Sequence, residues 1–336
     1  MSIKFALAGC GHIAKRHAEH IHNHPEAELV AVFDTKFERA KDLAAAQNCK
    51  ATNSLDELLT QDFDILNICA PNGNHAEIAM AALKAGKHVL VEKPMALNVE
   101  DAEKMIDLSM RHGRQLFVVK QNRFNPPVKA VKELLEEGKL GQIYAVQVNC
   151  FWNRNEQYYR QSDWKGTKAL DGGTLYTQFS HFVDIFYYLF GDIDNISGIV
   201  SNVNHGDMID FEDTGFFNFA FKNGGIGSFN YTTSCHLKNM EGSITVFAEN
   251  ATIKIGGQYL NTIDFQRCTG FEIPELEQSG TANDYGFYQG SMSNHDKLIA
   301  NVVDALKGRQ PIMTNAMEGL KVVDIIQRMY SAARWV

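Results

Sequence analysis

Gly9-Cys10-Gly11-His12-Ile13-Ala14 stands between a β-rich run, Ile3–Ala8, and a helical stretch, His12–Asn23. In a G-x-G-x-x-A string of this kind the first glycine permits a tight turn and the second lets a pyrophosphate approach the backbone. The alanine allows close packing of helix on strand. The helix N-terminus then turns N–H groups and a positive dipole end toward the anion. Asp34 ends the next β-rich run, 20 residues beyond Ala14. A carboxylate there accepts hydrogen bonds from an adenosine ribose and repels a 2′-phosphate. The spacing predicts NAD rather than NADP, held by Gly9, Gly11, His12, Ile13 and Asp34.

Further segments carry polar chemistry. Asn72 and His75, in Ala70-Pro71-Asn72-Gly73-Asn74-His75, and Glu92 and Lys93, in Glu92-Lys93-Pro94, each follow a β-rich run. They are expected at the carboxyl edge of a parallel sheet, where an open α/β fold takes its ligand, near ribose and nicotinamide. Lys93 is a poor base at the ordinary lysine pKa of about 10.4, but desolvation or a nearby cation lowers that value. After Gly172-Gly173, the residues Thr177, His181 and Asp184 recur at spacings that place them on one helix face. Between Asn153 and Lys168, Arg154, Arg160, Lys165 and Lys168 outnumber Glu156 and Asp163. Such cations suit a sugar carboxylate or a diphosphate. Tyr158, Tyr159 and Trp164 lie among them and offer faces for a sugar or a base. A solvated loop is the plain alternative, which the aromatic density disfavours. Tyr288, in Asp284-Tyr285-Gly286-Phe287-Tyr288, reads as a far wall of the same pocket or equally as a core aromatic.

His12, His17, His20, His22 and His24 crowd one segment, but no acidic or cysteine ligand completes a set there, so no metal is expected. Most of them read as a solvated helix face. His17 lies on the inward side with Ile13 and Ile21 and is expected to approach the nicotinamide.

These groups need a frame to hold them. Further β-rich runs at Glu28–Phe33, Asp64–Ala70, Lys87–Glu92 and Gln115–Lys120 alternate with helical stretches at Phe37–Gln47, Asn74–Ala85 and Val99–His112. Ser54-Leu55-Asp56-Glu57 has capping-box spacing and opens another helix. Strand–helix repetition means a doubly wound parallel sheet, a Rossmann domain over residues 1–121. From Gln142 onward long β-patterned runs dominate, interrupted by one helix near Thr174–Phe190 and closed by two more. The expected second domain, 122–336, is α+β with a large, mostly antiparallel open sheet. It takes substrate and oligomerises, while its last helices pack back on the first domain. An apolar sheet face uncovered by the chain's own helices predicts a homodimer or homotetramer.

Composition sets outer limits. The chain has 336 residues, 45% apolar and 21% charged, which excludes disorder and a disulfide mini-scaffold. A net charge of −8 repels nucleic acid. No apolar run reaches membrane-span length, and the N-terminus lacks signal-peptide layout. Six scattered cysteines read as thiols in a reducing, cytoplasmic setting.

Together, Gly9 to Ala14, Glu92-Lys93-Pro94, and Gly172-Gly173 through His181 to Asp184 resemble the Gfo/Idh/MocA oxidoreductase family across essentially the whole chain. The resemblance implies a nicotinamide-dependent sugar dehydrogenase with Lys93 and His181, from separate lobes, beside the carbon that loses hydride. Asp184 would orient His181. One departure stands out: the family's carboxylate four residues before the histidine is Thr177 here, which throws the proton onto His181 and Lys93. Spacing does not choose between them as base. The strings Lys120-Gln121-Asn122-Arg123-Phe124-Asn125-Pro126-Pro127-Val128 and Phe151-Trp152-Asn153-Arg154 through Trp164-Lys165-Gly166-Thr167 are similar to a bacterial subgroup. Its members oxidise the 3-hydroxyl of UDP-N-acetylglucosaminuronic acid on the way to diacetamido-sugar surface polysaccharides. That similarity implies a nucleotide-sugar substrate, with Arg123 at the cofactor and Lys93, Arg154, Tyr158, Tyr159, Trp164, Lys165, Thr177, His181 and Tyr288 at the substrate. The alternatives are another sugar or inositol dehydrogenase of the family, or a non-catalytic NAD-binding regulator.

Overall fold

The computed structural model describes residues 2–277, 282–284, 286 and 288–336, which divide into two compact units. The first comprises 1–120 and 295–323, the second 121–294 and 324–336. The second domain was expected to span 122–336 with its last helices packing back on the first; the division into compact units groups His295–Val323 with the first.

In the first unit β1 (Ile3–Ala8), β2 (Ala27–Phe33), β3 (Lys50–Thr52), β4 (Ile65–Ile68), β5 (His88–Val91) and β6 (Leu116–Val118) form one sheet ordered β3-β2-β1-β4-β5-β6. All five pairings are parallel. The helices α1 (His12–Asn23), α2 (Phe37–Gln47), α3 (Leu55–Leu59), α4 (His75–Lys84) and α5 (Val99–Arg111) alternate with the strands. Covered on both faces, β4 is buried throughout, and three of its four residues are apolar, Asn67 being the exception. The Ser54 side chain accepts from the Glu57 N–H and caps α3. Strand order reverses between β1 and β4, so the turns after these strands flank the switch point where such sheets take ligands. The three-residue edge strand β3 was not foreseen; so short a run has no periodicity to read.

The second unit opens with α6 (Pro126–Glu136), whose proline occupies the first helical turn. It continues through β7 (Ile143–Phe151), α7 (Glu156–Arg160) and α8 (Ser180–Phe190). Then follow β8 (Ile193–Ser201), β9 (Thr214–Phe221), β10 (Ile226–Thr232), β11 (Glu241–Ala248), β12 (Ala251–Gly256), β13 (Thr262–Cys268) and the ribbon β14 (Ala282–Asp284) with β15 (Gln289–Met292). Past β15 the chain forms α9 (His295–Leu306), α10 (Ala316–Ala332) and β16 (Ala333–Trp335). The large sheet runs β13-β12-β11-β7-β10-β9-β8-β16 and is antiparallel except at β7/β10 and β8/β16. α8 lies on one face, with Phe186 stacked 5.5 Å from Phe219 and Trp152 ringed by Phe179, Phe182 and Tyr259. Among the described residues no helix is long and apolar enough to cross a membrane.

Candidate active site

The glycine turn is built as its sequence requires. Gly9 has φ +91°, and a Cβ there would come within 2.6 Å of the Cys69 carbonyl, so only glycine fits. At Gly11, the N-cap of α1, a Cβ would meet nothing within 4 Å. α1 has no side-chain cap and no acid in its first turn, while Ala14 is fully buried behind it. The result is open space over a positive helix end, which fits a pyrophosphate. Asp34 is buried and locks the turn: its Oδ2 accepts from the Cys10 N–H at 2.7 Å and its Oδ1 from the Lys36 N–H at 2.7 Å. Each oxygen keeps a lone pair for a ribose hydroxyl. These residues fit NAD. His12 is exposed and Ile13 half-buried at the helix start, and Asn72 lies in the short turn Asn72–Asn74 after β4.

Three of the residues expected at the cofactor are buried and hydrogen-bonded within the first unit. His75 is fully buried, with Nδ1 2.7 Å from the Pro94 carbonyl and Nε2 2.9 Å from that of Ala70. Burial lowers its pKa, and a neutral ring donates to only one of the two. It is a clamp between two loops. The Glu92 Oε1 lies 2.7 Å from His17 Nε2, and its Oε2 accepts from the Lys93 N–H at 3.1 Å. Burial alone would raise this carboxyl, but His17 and His295 hold it well below the usual range. His17, expected to approach the nicotinamide, is fully buried against Glu92. Lys93 itself is half-buried directly after β5.

In the second unit His181 sits at the start of α8, buried, with Nε2 3.5 Å from Gln121 Nε2 and 3.4 Å from Ser291 Oγ. Gln121 Nε2 donates to that hydroxyl at 3.0 Å. Neither Gln121 nor Ser291 was singled out from sequence; nothing local marks a glutamine 60 positions away as a histidine's neighbour. The segment before His181 is a π-turn, Leu175–Phe179, so the α-helical spacing of Thr177 to His181 does not hold. The Thr177 hydroxyl donates instead to the Asp171 carboxylate and to its carbonyl at 3.0 Å. The Asp171 Oδ2 also accepts from the Gly166 N–H at 2.7 Å.

Two arginines are buried and bound to partners within the second unit. Arg123, expected at the cofactor, grips Asp184 through two bonds of 2.8 and 2.6 Å and stacks over Tyr188. Asp184 therefore anchors Arg123. Arg154 donates to Gln178 Oε1 and the Asn153 carbonyl, both at 2.6 Å, so its fork is bound within the protein. Tyr158 and Tyr159, expected to present stacking faces, are core residues packed with Ile209 and Phe211. Arg160 pairs with Glu156 at the surface. Lys165 alone of the four cations is half-buried beside aromatics, its Nζ 3.7 Å above the Tyr158 ring and 5.1 Å from that of Tyr288. Burial and the adjacent Arg154 push its pKa down to about 8. Trp164 and Tyr288 are half-buried; Tyr285 and Phe287 lie outside the described residues.

A reversing parallel sheet with a glycine cradle at its switch point defines a dinucleotide-binding protein. The chain belongs to the GFO/IDH/MocA oxidoreductase family: the NAD-binding Rossmann model matches residues 3–120 and the C-terminal domain model residues 128–254. It is an NAD-dependent oxidoreductase. Among solved structures, the WlbA dehydrogenase of Bordetella pertussis, in complex with NADH and UDP-GlcNAcA, is 33% identical. That match covers 99% of this chain and 96% of that one at a TM-score of 0.87. The WlbA dehydrogenase of Chromobacterium violaceum, with the same two ligands, is 32% identical over 98% and 93% of the chains, also at 0.87. The glucose-6-phosphate 3-dehydrogenase of Bacillus subtilis is 30% identical over 56% of this chain and 53% of its own length.

Proposed function

We propose that this enzyme oxidises the 3-hydroxyl of UDP-N-acetylglucosaminuronic acid to the 3-keto sugar, as a step in surface-polysaccharide synthesis. The observation that carries the reading is Lys165. Its amine is pressed between aromatic rings and a second buried cation, and its depressed pKa is what an incoming carboxylate or diphosphate would relieve. The full-length likeness to two dehydrogenases whose structures hold UDP-GlcNAcA supports it. When bound, NAD supplies the hydride-accepting nicotinamide. In this reading Gly9, Gly11 and Asp34 seat the cofactor. The His181 Nε2 accepts the hydroxyl proton, with Gln121 and Ser291 fixing its ring. The Lys93 amine polarises the hydroxyl oxygen or relays that proton. Thr177, held by Asp171, and Tyr288 complete the substrate wall.

The test is an anaerobic titration of purified protein with NAD and a panel of UDP-sugars, following cofactor reduction. Reduction by the UDP-sugar acid, and none by free hexoses or inositol, is expected. Reduction by a hexose 6-phosphate or inositol alone would replace the nucleotide sugar with the substrate class of the Bacillus relative. NAD binding without reduction by any sugar would leave a binding protein.

A further inference from the structure

We propose that His17, Glu92 and His295 form a binding site for one divalent first-row cation, of the zinc class, inside the first unit. The ligand atoms of the three side chains lie within 4.8 Å of one another. Glu92 Oε1 is 2.7 Å from His17 Nε2 and 3.7 Å from His295 Nε2. Zinc bonds of 2.0–2.2 Å in tetrahedral array set ligand atoms about 3.3 Å apart, between those two separations. Two imidazoles and one carboxylate are the donor set of a three-ligand zinc site, water taking the fourth position.

A second observation points the same way. His295 and His17 are both fully buried, and neither nitrogen of His295 has a hydrogen-bond partner among the described residues. The 3.7 Å separation from Glu92 is too long to be one. His295 thus faces Glu92 without a hydrogen bond of normal length, and a coordinate bond to a shared cation supplies the missing contact. The rings of His17 and His295 meet at 78° with centroids 4.9 Å apart, so they do not stack. His20, whose buried Nε2 is also unpartnered, stacks on the far face of the cluster against His295 at 6.2 Å. The three ligands come from α1, the end of β5 and the first residue of α9. A cation there pins the returning helix to the dinucleotide-binding sheet, a structural role independent of which sugar is oxidised.

Protein stripped with a chelator, then freed of it, is titrated with Zn²⁺ against a chromophoric indicator and with Co²⁺ by visible absorption. One equivalent per chain is expected, bound more tightly than about 1 μM, with cobalt d–d bands of a four- or five-coordinate N/O site and a raised Tm. His295→Phe should lose that equivalent while still binding NAD, and the double variant His22→Ala, His24→Ala should keep it. Failure of the unaltered protein to bind either ion more tightly than about 100 μM overturns the site, however the variants fold. Persistence of the equivalent in His295→Phe overturns it as well.

Discussion

At the scale of single residues, the charged groups between Asn153 and Lys168 sort by burial rather than by type. Arg154 and Arg160 carry the stronger, always-protonated head groups, yet one is sealed into the protein and the other paired at the surface. Lys165 keeps an amine that shifts readily when desolvated, which suits it to receive an anion. His181 and Lys93 are the groups proposed to handle the substrate proton. His181→Ala and Lys93→Ala are each expected to lower kcat by at least about 100-fold, the usual contribution of a positioned acid–base group. NAD affinity, read by fluorescence titration, should stay within a few-fold. A near-parental kcat in either variant would remove that residue from the proposed chemistry.

At the scale of elements, the π-turn ahead of α8 is what separates Thr177 from the face its spacing predicted. Its neighbourhood is held by a buried carboxyl: Glu212 Oε1 accepts from the hydroxyls of Tyr231 at 3.0 Å and Tyr330 at 2.7 Å, and the Glu212 carbonyl accepts from Thr174 Oγ1. Tyr330 in turn accepts from the Leu175 N–H at 3.0 Å, so the last helix and the π-turn share one polar knot. Burial pushes the Glu212 pKa up to about 7, against the pull of both hydroxyls. The folded protein therefore keeps a proton that the unfolded chain, with an ordinary value of 4.5, has released. Stability should fall as pH rises through that window, by on the order of 3 kcal/mol from this group. Urea midpoints measured near pH 5 and near pH 8 should fall less for Glu212→Gln than for the parent. An unchanged slope would show that Glu212 is not the responsible group.

At the scale of the molecule, the large sheet has one face covered by α8 and one that no helix covers among the described residues. The strand registers put Ile199, Phe216, Ile226, Phe247 and Phe265 on the second face, and all five are exposed. Asn149, Asn218 and Asn230 lie on the same face. Sedimentation velocity should give a dimer or tetramer, and Phe216→Glu with Phe247→Glu should shift it toward monomer without loss of helix content. A monomeric parent protein would refute self-association through this face.

How much of this was legible beforehand follows the range of the interactions involved. α1 and α2 were placed to the residue, because a glycine turn, helical periodicity and terminal residues are local signals. NAD follows from the same kind of information, since the cradle and Asp34 sit within one strand–helix–strand unit. β8 and β13 were missed: Asp194, Asn195 and Gly198, or Asp264 and Arg267, mask strands whose pairing comes from neighbours in the sheet. Glu92 and His295 meet His17 only through the fold, so no spacing in the sequence groups the three. Likewise Arg123 finds Asp184, and Thr177 finds Asp171, by packing that no spacing rule contains. Sequence alone determined the class of cofactor and the order of the elements, since both are written in short-range backbone preferences. Tertiary structure alone decided which polar side chains are sealed inside and which remain for a substrate, because burial is set by what the rest of the chain places around them.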